Sequence, residues 1–201
     1  MNGMNLFLGI LLGLGLSAST GLNTFLPLLL LSAAARFHIA GIELGSKFEW
    51  LTSDAAMITL IVACIIELIA DKIPAVDHFL DSAGTFVRPL AGALASASVL
   101  TGVDPIVAAV VGLIVGAPTS LGLHTLKAGT RIASSATTFG CANPIISIIE
   151  DVISFCLSVL AIFLPLLVPV ALALLVFALY RLMKRIRSGG ASAPSAVEGP
   201  T

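Results

Sequence analysis

The sequence predicts an all-α membrane protein with about six transmembrane helices, and three observations lead there. Of its 201 residues 58% are hydrophobic and only 10% charged, whereas soluble globular chains carry about a quarter charged residues. The mean hydropathy is +1.10. The apolar residues also gather into stretches close to the ~20 residues that a helix needs to cross a bilayer, divided by short polar connections.

Taken in order, the spans fall at about 5–35, 54–71, 88–101, 105–126, 144–164 and 166–182. The first is too long for one straight crossing. Ser17-Ala18-Ser19-Thr20-Gly21-Leu22-Asn23 at its middle, with Pro27 beyond, predicts a broken helix, and the backbone groups freed at such a break need protein or a wet cavity around them. Leu6 to Leu16 followed by Ser17-Ala18-Ser19 has the outline of a signal peptide. It is read as part of the first span, because no Lys or Arg precedes it and the apolar pattern resumes at Phe25. The second span ends at Asp71-Lys72 and opens a polar, acidic loop over 71–85; the third starts at Arg88. The fourth contains Gly116-Ala117-Pro118-Thr119-Ser120 and Gly122, a second break signal, though small residues also serve simply to let membrane helices pack closely. A small-residue loop is expected over 127–143. The fifth span carries Glu150-Asp151, the sixth follows at once, and 188–201 reads as a small, polar, disordered tail behind a transmembrane domain of residues 1–187.

The two halves share a pattern. Gly15, Gly21, Leu22 and Thr24 align at a constant offset with Gly116, Gly122, Leu123 and Thr125. Two repeats of three helices, about 5–101 and 105–182, would follow. Three is odd, so the second copy would enter the membrane from the opposite side, the inverted-repeat arrangement of many secondary transporters.

Charge narrows the function. Ten Lys+Arg against eleven Asp+Glu leave a net charge of -1, which gives no basic surplus for nucleic acid. With both termini cytoplasmic, Lys72, Arg88, Lys127, Arg131, Arg181, Lys184, Arg185 and Arg187 lie inside and only Arg36 and Lys47 outside, as the positive-inside rule asks of a multi-pass protein of the cell membrane. Cys64, Cys141 and Cys156 are odd in number and set among apolar residues, which suits small buried side chains better than disulfides or a zinc site. No cofactor is implied. The expected partners are bilayer lipid, a small ion or solute, and a second copy of the chain as a homo-oligomer.

Three sets of residues could carry chemistry. Glu67, Asp71, Glu150 and Asp151 are acidic residues in or beside apolar helices, where an unpaired carboxylate costs a few kcal/mol and must face a partner, a cavity or a proton. Ser19, Thr20 and Asn23 at the first break, with Thr119, Ser120 and His124 at the second, could line a pore or hold a solute. Asp77, His78 and Asp81 form the acidic stretch before Arg88; they could ligate a divalent cation, but a carboxylate mate for Arg88 is the simpler use.

The run Ile66-Glu67-Leu68-Ile69-Ala70-Asp71-Lys72-Ile73-Pro74-Ala75-Val76-Asp77, continuing to Asp81 and Arg88-Pro89-Leu90-Ala91-Gly92, resembles the signature of a family of small integral-membrane proteins, domain of unknown function 4126. Ser19-Thr20-Gly21-Leu22-Asn23-Thr24-Phe25-Leu26-Pro27 resembles that family's first helix, and the likeness extends to about Arg181. The resemblance implies a membrane protein with no assigned activity. Cation/proton exchangers with a Glu-x-Gly-Asp-Lys/Arg motif in each half are similar only in architecture, since Glu67-x-x-x-Asp71-Lys72 has an extra residue and no glycine, and the Glu150-Asp151 half lacks the motif.

The function expected on these grounds is a transporter or channel for a small ion or polar solute, with Glu67 and Glu150 binding a cation or proton. The alternatives are a membrane scaffold or helper subunit, and a metal-dependent enzyme acting on lipid head groups through Asp71, Asp77, His78 and Asp81. No Ser-His-Asp set, no HExxH and no spaced aspartate-rich repeat supports the enzyme.

Overall fold

A computed structural model describes residues 3–138 and 142–189. They are almost entirely helical: α1 (Gly3–Leu22), α2 (Leu26–Arg36), α3 (Asp54–Ala70), α4 (Pro74–Ser98), α5 (Pro105–Val111), a π-helical turn (Gly112–Gly116), α6 (Ala117–Thr138), α7 (Asn143–Phe163) and α8 (Val168–Gly189). Among the described residues four stretches, Met4–Leu22, Pro105–Ile132, Asn143–Phe163 and Pro165–Lys184, are long and apolar enough to cross a membrane. The distribution of side chains is inverted relative to a soluble protein. Ile58, Ile61, Ile65 and Ile69 of α3, and Ile145, Ile148, Val152 and Phe155 of α7, are exposed, whereas the largest fully buried side chains are Arg88 and Lys127.

The first predicted span is broken where expected, but its halves do not continue one crossing. Along α1, Gly9 meets Val99 and Leu100, Gly13 meets Ser96, and Ser17 donates to the Gly92 carbonyl, so α1 runs antiparallel to α4. A single cleft is lined by Asn5, Gly9 and Leu12 of α1 together with Ala40–Glu43 just beyond α2. The start of α1 and the end of α2 thus lie at the same end of the bundle. The two helices form a hairpin whose turn, at residues 23–25, reaches the level of Arg88 near the middle of α4.

The fourth predicted span is not broken. The Ala117 N–H bonds to the Gly112 carbonyl across the π turn, and the helix proceeds through Pro118 to Thr138. Proline lacks an N–H and its ring clashes with the carbonyl four residues back; a wider turn just before it relieves that conflict without ending the helix. Much of two predicted loops is helical as well: the acidic stretch belongs to α4 from Pro74 onward, and 127–138 belongs to α6.

Direction corrects two further expectations. Against α4, Gly112 meets Ala93, Ser120 donates to the Arg88 carbonyl, and Arg131 reaches Asp81, so α6 is antiparallel to α4 and parallel to α1. The segments 15–24 and 116–125 therefore run the same way, side by side, with Thr20 bonded to Ser120; they are not related as an inverted repeat. Val168 packs on Gly15 and Met183 on Gly129, which gives α8 that direction too. Gly3 and Gly189 lie at opposite ends of the bundle, because the hairpin adds one reversal that a single broken crossing lacks. Of the predicted tail, Ser188 and Gly189 fall in α8, and 190–201 lie outside the described residues.

Candidate functional site

Ending a helix inside a bundle strands its last carbonyls, and starting another strands its first amides. At the α1–α2 turn the Gly21 and Leu22 carbonyls meet cations and the Thr24 and Phe25 amides meet a carboxylate. On the carbonyl side, Arg88 Nη1 donates to Gly21 at 3.0 Å and Lys127 Nζ to Leu22 at 2.8 Å. On the amide side, Thr24 N donates to both Glu67 oxygens at 3.0 Å, Phe25 N to Oε2 at 3.1 Å, and the Thr24 hydroxyl to Oε1 at 2.7 Å. The Leu26 N–H goes to Asn23 Oδ1 at 3.0 Å. Cations at a helix C-terminus and an anion at a helix N-terminus are the arrangement that the helix dipole favours.

Two ion clusters flank this turn. In the first, Arg88 Nη2 lies 3.6 Å from Glu67 Oε1, and its Nη1 donates to His124 Nδ1 at 3.0 Å. A guanidinium only donates, so Nδ1 accepts and the His124 proton sits on Nε2, facing the Thr85 hydroxyl at 3.3 Å. In the second, Lys127 Nζ is 3.3 Å from both Asp71 Oδ2 and Glu150 Oε2. Arg131 Nη2 is 2.8 Å from the same Glu150 oxygen and 3.6 Å from Asp71, while its Nη1 reaches Asp81 at 3.4 Å. Asp151 lies at the edge, accepting from Asn23 Nδ2 at 2.9 Å and 3.6 Å from Lys72.

Of the predicted acidic set, Asp71 and Glu150 are brought together through shared cations. Glu67 is held apart from them by the hairpin turn. Arg88 takes Glu67 as its mate, and Asp81 takes Arg131. The side chains of Asp77 and His78 lie outside the described residues, as does Cys141. Among the described residues no group of three or more His, Cys, Asp or Glu is placed to hold a metal ion. Ser19, Thr20, Asn23, Ser120 and His124 are buried; Thr20 bonds Ser120 and the Ser19 carbonyl accepts from Ser154, which links helices, whereas Thr119 bonds the Val115 carbonyl one turn back in its own helix. Cys64 is buried and Cys156 exposed, and both are free thiols.

By sequence alone Lys127 and Arg131 read only as loop charges. Their signal was present: Ser120, His124, Lys127 and Arg131 follow helical spacing, as do Asp81, Thr85 and Arg88 on α4 and Asn143, Ser147, Glu150 and Ser154 on α7. Three polar stripes inside apolar helices predict a polar core.

The family model described as Domain of unknown function (DUF4126) matches residues 10–185. The chain belongs to this family. The match includes both ion clusters and both halves of the hairpin, so the charged turn lies within the family domain. No curated protein and no solved structure matches the chain.

Proposed function

We propose that the protein is a multi-pass transporter or channel for a small ion or polar solute, with Asp71 and Glu150 as its cation or proton site. The observation that carries this reading is the cage around Lys127. Its ammonium is surrounded by two carboxylates and the Leu22 carbonyl at a helix end, the donor set that a cation at membrane depth requires. Lys127 acts as an internal cation. Withdrawing it from the cage opens a negatively charged site to an outside cation or proton, and its return expels the occupant. Glu67 has a different part: bound by two amides and Arg88, it fixes the hairpin turn beside the cage.

In the orientation we propose, the end of the bundle carrying Lys72, Lys127, Arg131, Arg181 and Lys184 is cytoplasmic and the end carrying Arg36 and Lys47 is outside, which satisfies the positive-inside rule. The membrane is the cell membrane, Gly189 is inside, and Gly3 is outside. The hairpin α1–α2 enters and leaves from the outer face, and α3, α4, α5–α6, α7 and α8 cross.

The test is uptake by liposomes containing the purified protein, across a panel of cations, anions and protons, beside Glu150→Gln shown by circular dichroism to remain folded. Cation or proton flux that disappears in Glu150→Gln supports the reading. Flux unchanged by that substitution refutes the site; no flux of any solute through folded, inserted wild type refutes transport.

A further inference from the structure

The last turns of α8 carry Arg181, Lys184, Arg185 and Arg187, and the sequence has no Asp or Glu from 152 to 197. We propose that this end of α8 is a docking surface for an anionic phospholipid, whose head group sits among these cations while its acyl chains lie along the exposed apolar length of the helix.

The pattern of ion pairing singles this surface out. At the same end of the bundle Lys72, Lys127 and Arg131 each have a carboxylate within 3.6 Å. Arg181 and Lys184 are exposed, and among the described residues neither has a carboxylate partner. Arg181 lies over the Phe177 ring, 5.0 Å from its centre, a contact that brings no negative charge. Positions 181, 184 and 185 are three and four residues apart and share one face of the helix, where like charges repel unless an anion lies between them. The pull of a helix C-terminus on cations fades within the last turn, so the dipole does not account for Arg181, two turns before Gly189.

The occupant follows from what the rest of the helix meets. Pro165–Lys184 is long and apolar enough to cross a membrane, and Val170, Leu174, Phe177 and Leu182 are exposed along it. A helix with that surface lies against acyl chains, so its basic end emerges among head groups. Clusters of four or more Lys and Arg beside a membrane-crossing helix attract anionic lipid, and the arginine fork matches the oxygens of a phosphate. A free phosphate brings the charge but has no chains to lie on Leu174 and Phe177. In the orientation proposed above, the lipid belongs to the cytoplasmic leaflet. The proposal rests on α8 crossing the membrane and is independent of transport, because it is read by binding alone.

Lipid titrations of the full-length protein in neutral detergent, followed by thermophoresis, test it, with phosphatidylglycerol and phosphatidylcholine of the same acyl chains as probes. Phosphatidylglycerol should bind at least about tenfold more tightly at low salt, and the advantage should shrink at about 1 M salt, where charges are screened. Arg181→Gln, Lys184→Gln, Arg185→Gln and Arg187→Gln together should bring phosphatidylglycerol down to the phosphatidylcholine level. Arg181→Lys, Arg185→Lys and Arg187→Lys together keep the charge and should keep most of the preference, as should Lys47→Gln at the other end of the bundle. Equal affinity for the two lipids, or no binding of either, overturns the proposal and leaves the membrane crossing of α8 untouched. A preference that survives the fourfold Gln change, in protein shown by circular dichroism to be folded, overturns it as well. Full competition by inorganic phosphate at matched ionic strength does the same, by making the site one for the free ion.

Discussion

The segments 15–24 and 116–125 share glycines, a leucine and a threonine at one offset, pack against each other in parallel, and end differently. The first stops at Leu22 and reverses; the second continues to Thr138. The difference begins just past the shared pattern. At Asn23 the side chain caps the Leu26 amide and Pro27 occupies the second position of α2, both of which favour a helix start. The equivalent positions are His124 and Ala128, which let α6 proceed. The other half of the difference is tertiary. Reversal at mid-bundle is sustained because Glu67, Arg88 and Lys127, from three other helices, satisfy the groups it strands.

The comparison can be broken most severely at Glu67. Glu67→Ala leaves Arg88 buried without a carboxylate and two amides without an acceptor, and should cost roughly 3–5 kcal/mol, seen as a large fall in thermal unfolding temperature in detergent. Because the damage comes from an unmatched charge, Glu67→Gln with Arg88→Gln together should be less destabilising than the two single changes summed; strict additivity would show that the pair is not coupled. Forcing the second segment toward the first comes next. Ala128→Pro removes a helical hydrogen bond in α6 and sets its ring against the His124 carbonyl, with an expected loss of about 3 kcal/mol.

Smaller changes sharpen the contrast. Gly116 packs directly on the Gly92 backbone, so Gly116→Val should separate α4 from the π turn and cost about 1–3 kcal/mol in the same melts. Asn23→Ala removes the α2 cap and the contact to Asp151, for about 1 kcal/mol. Lys72→Ala is the control: its pair with Asp151 is long and its side chain 38% exposed, so the melting temperature should move by less than any of the others, within about 0.5 kcal/mol.

What could be read without coordinates followed from short-range physics. The apolar helices, the weak point at Ser17 to Asn23, and the need of Glu67, Asp71, Glu150 and Arg88 for partners all rest on local composition or on the cost of a charge in hydrocarbon. Polarity along the chain is not by itself a loop signal. The stretches 71–85 and 127–143 looked polar enough for connections, yet 74–85 and 127–138 are helical, because their charges find partners across the bundle and need no water.

By itself the sequence determined that the chain is helical and apolar on its outside, that its first helix breaks, and which acidic residues had to be accounted for, since these depend on residue type and spacing along one strand of chain. Only the tertiary structure decided that the break is a reversal, that the shared segments run parallel, and that Lys127 and Arg131 belong to the core. Each of those depends on which helix end faces which charge, and a charge some forty to one hundred residues away in sequence leaves no trace in the local pattern it completes.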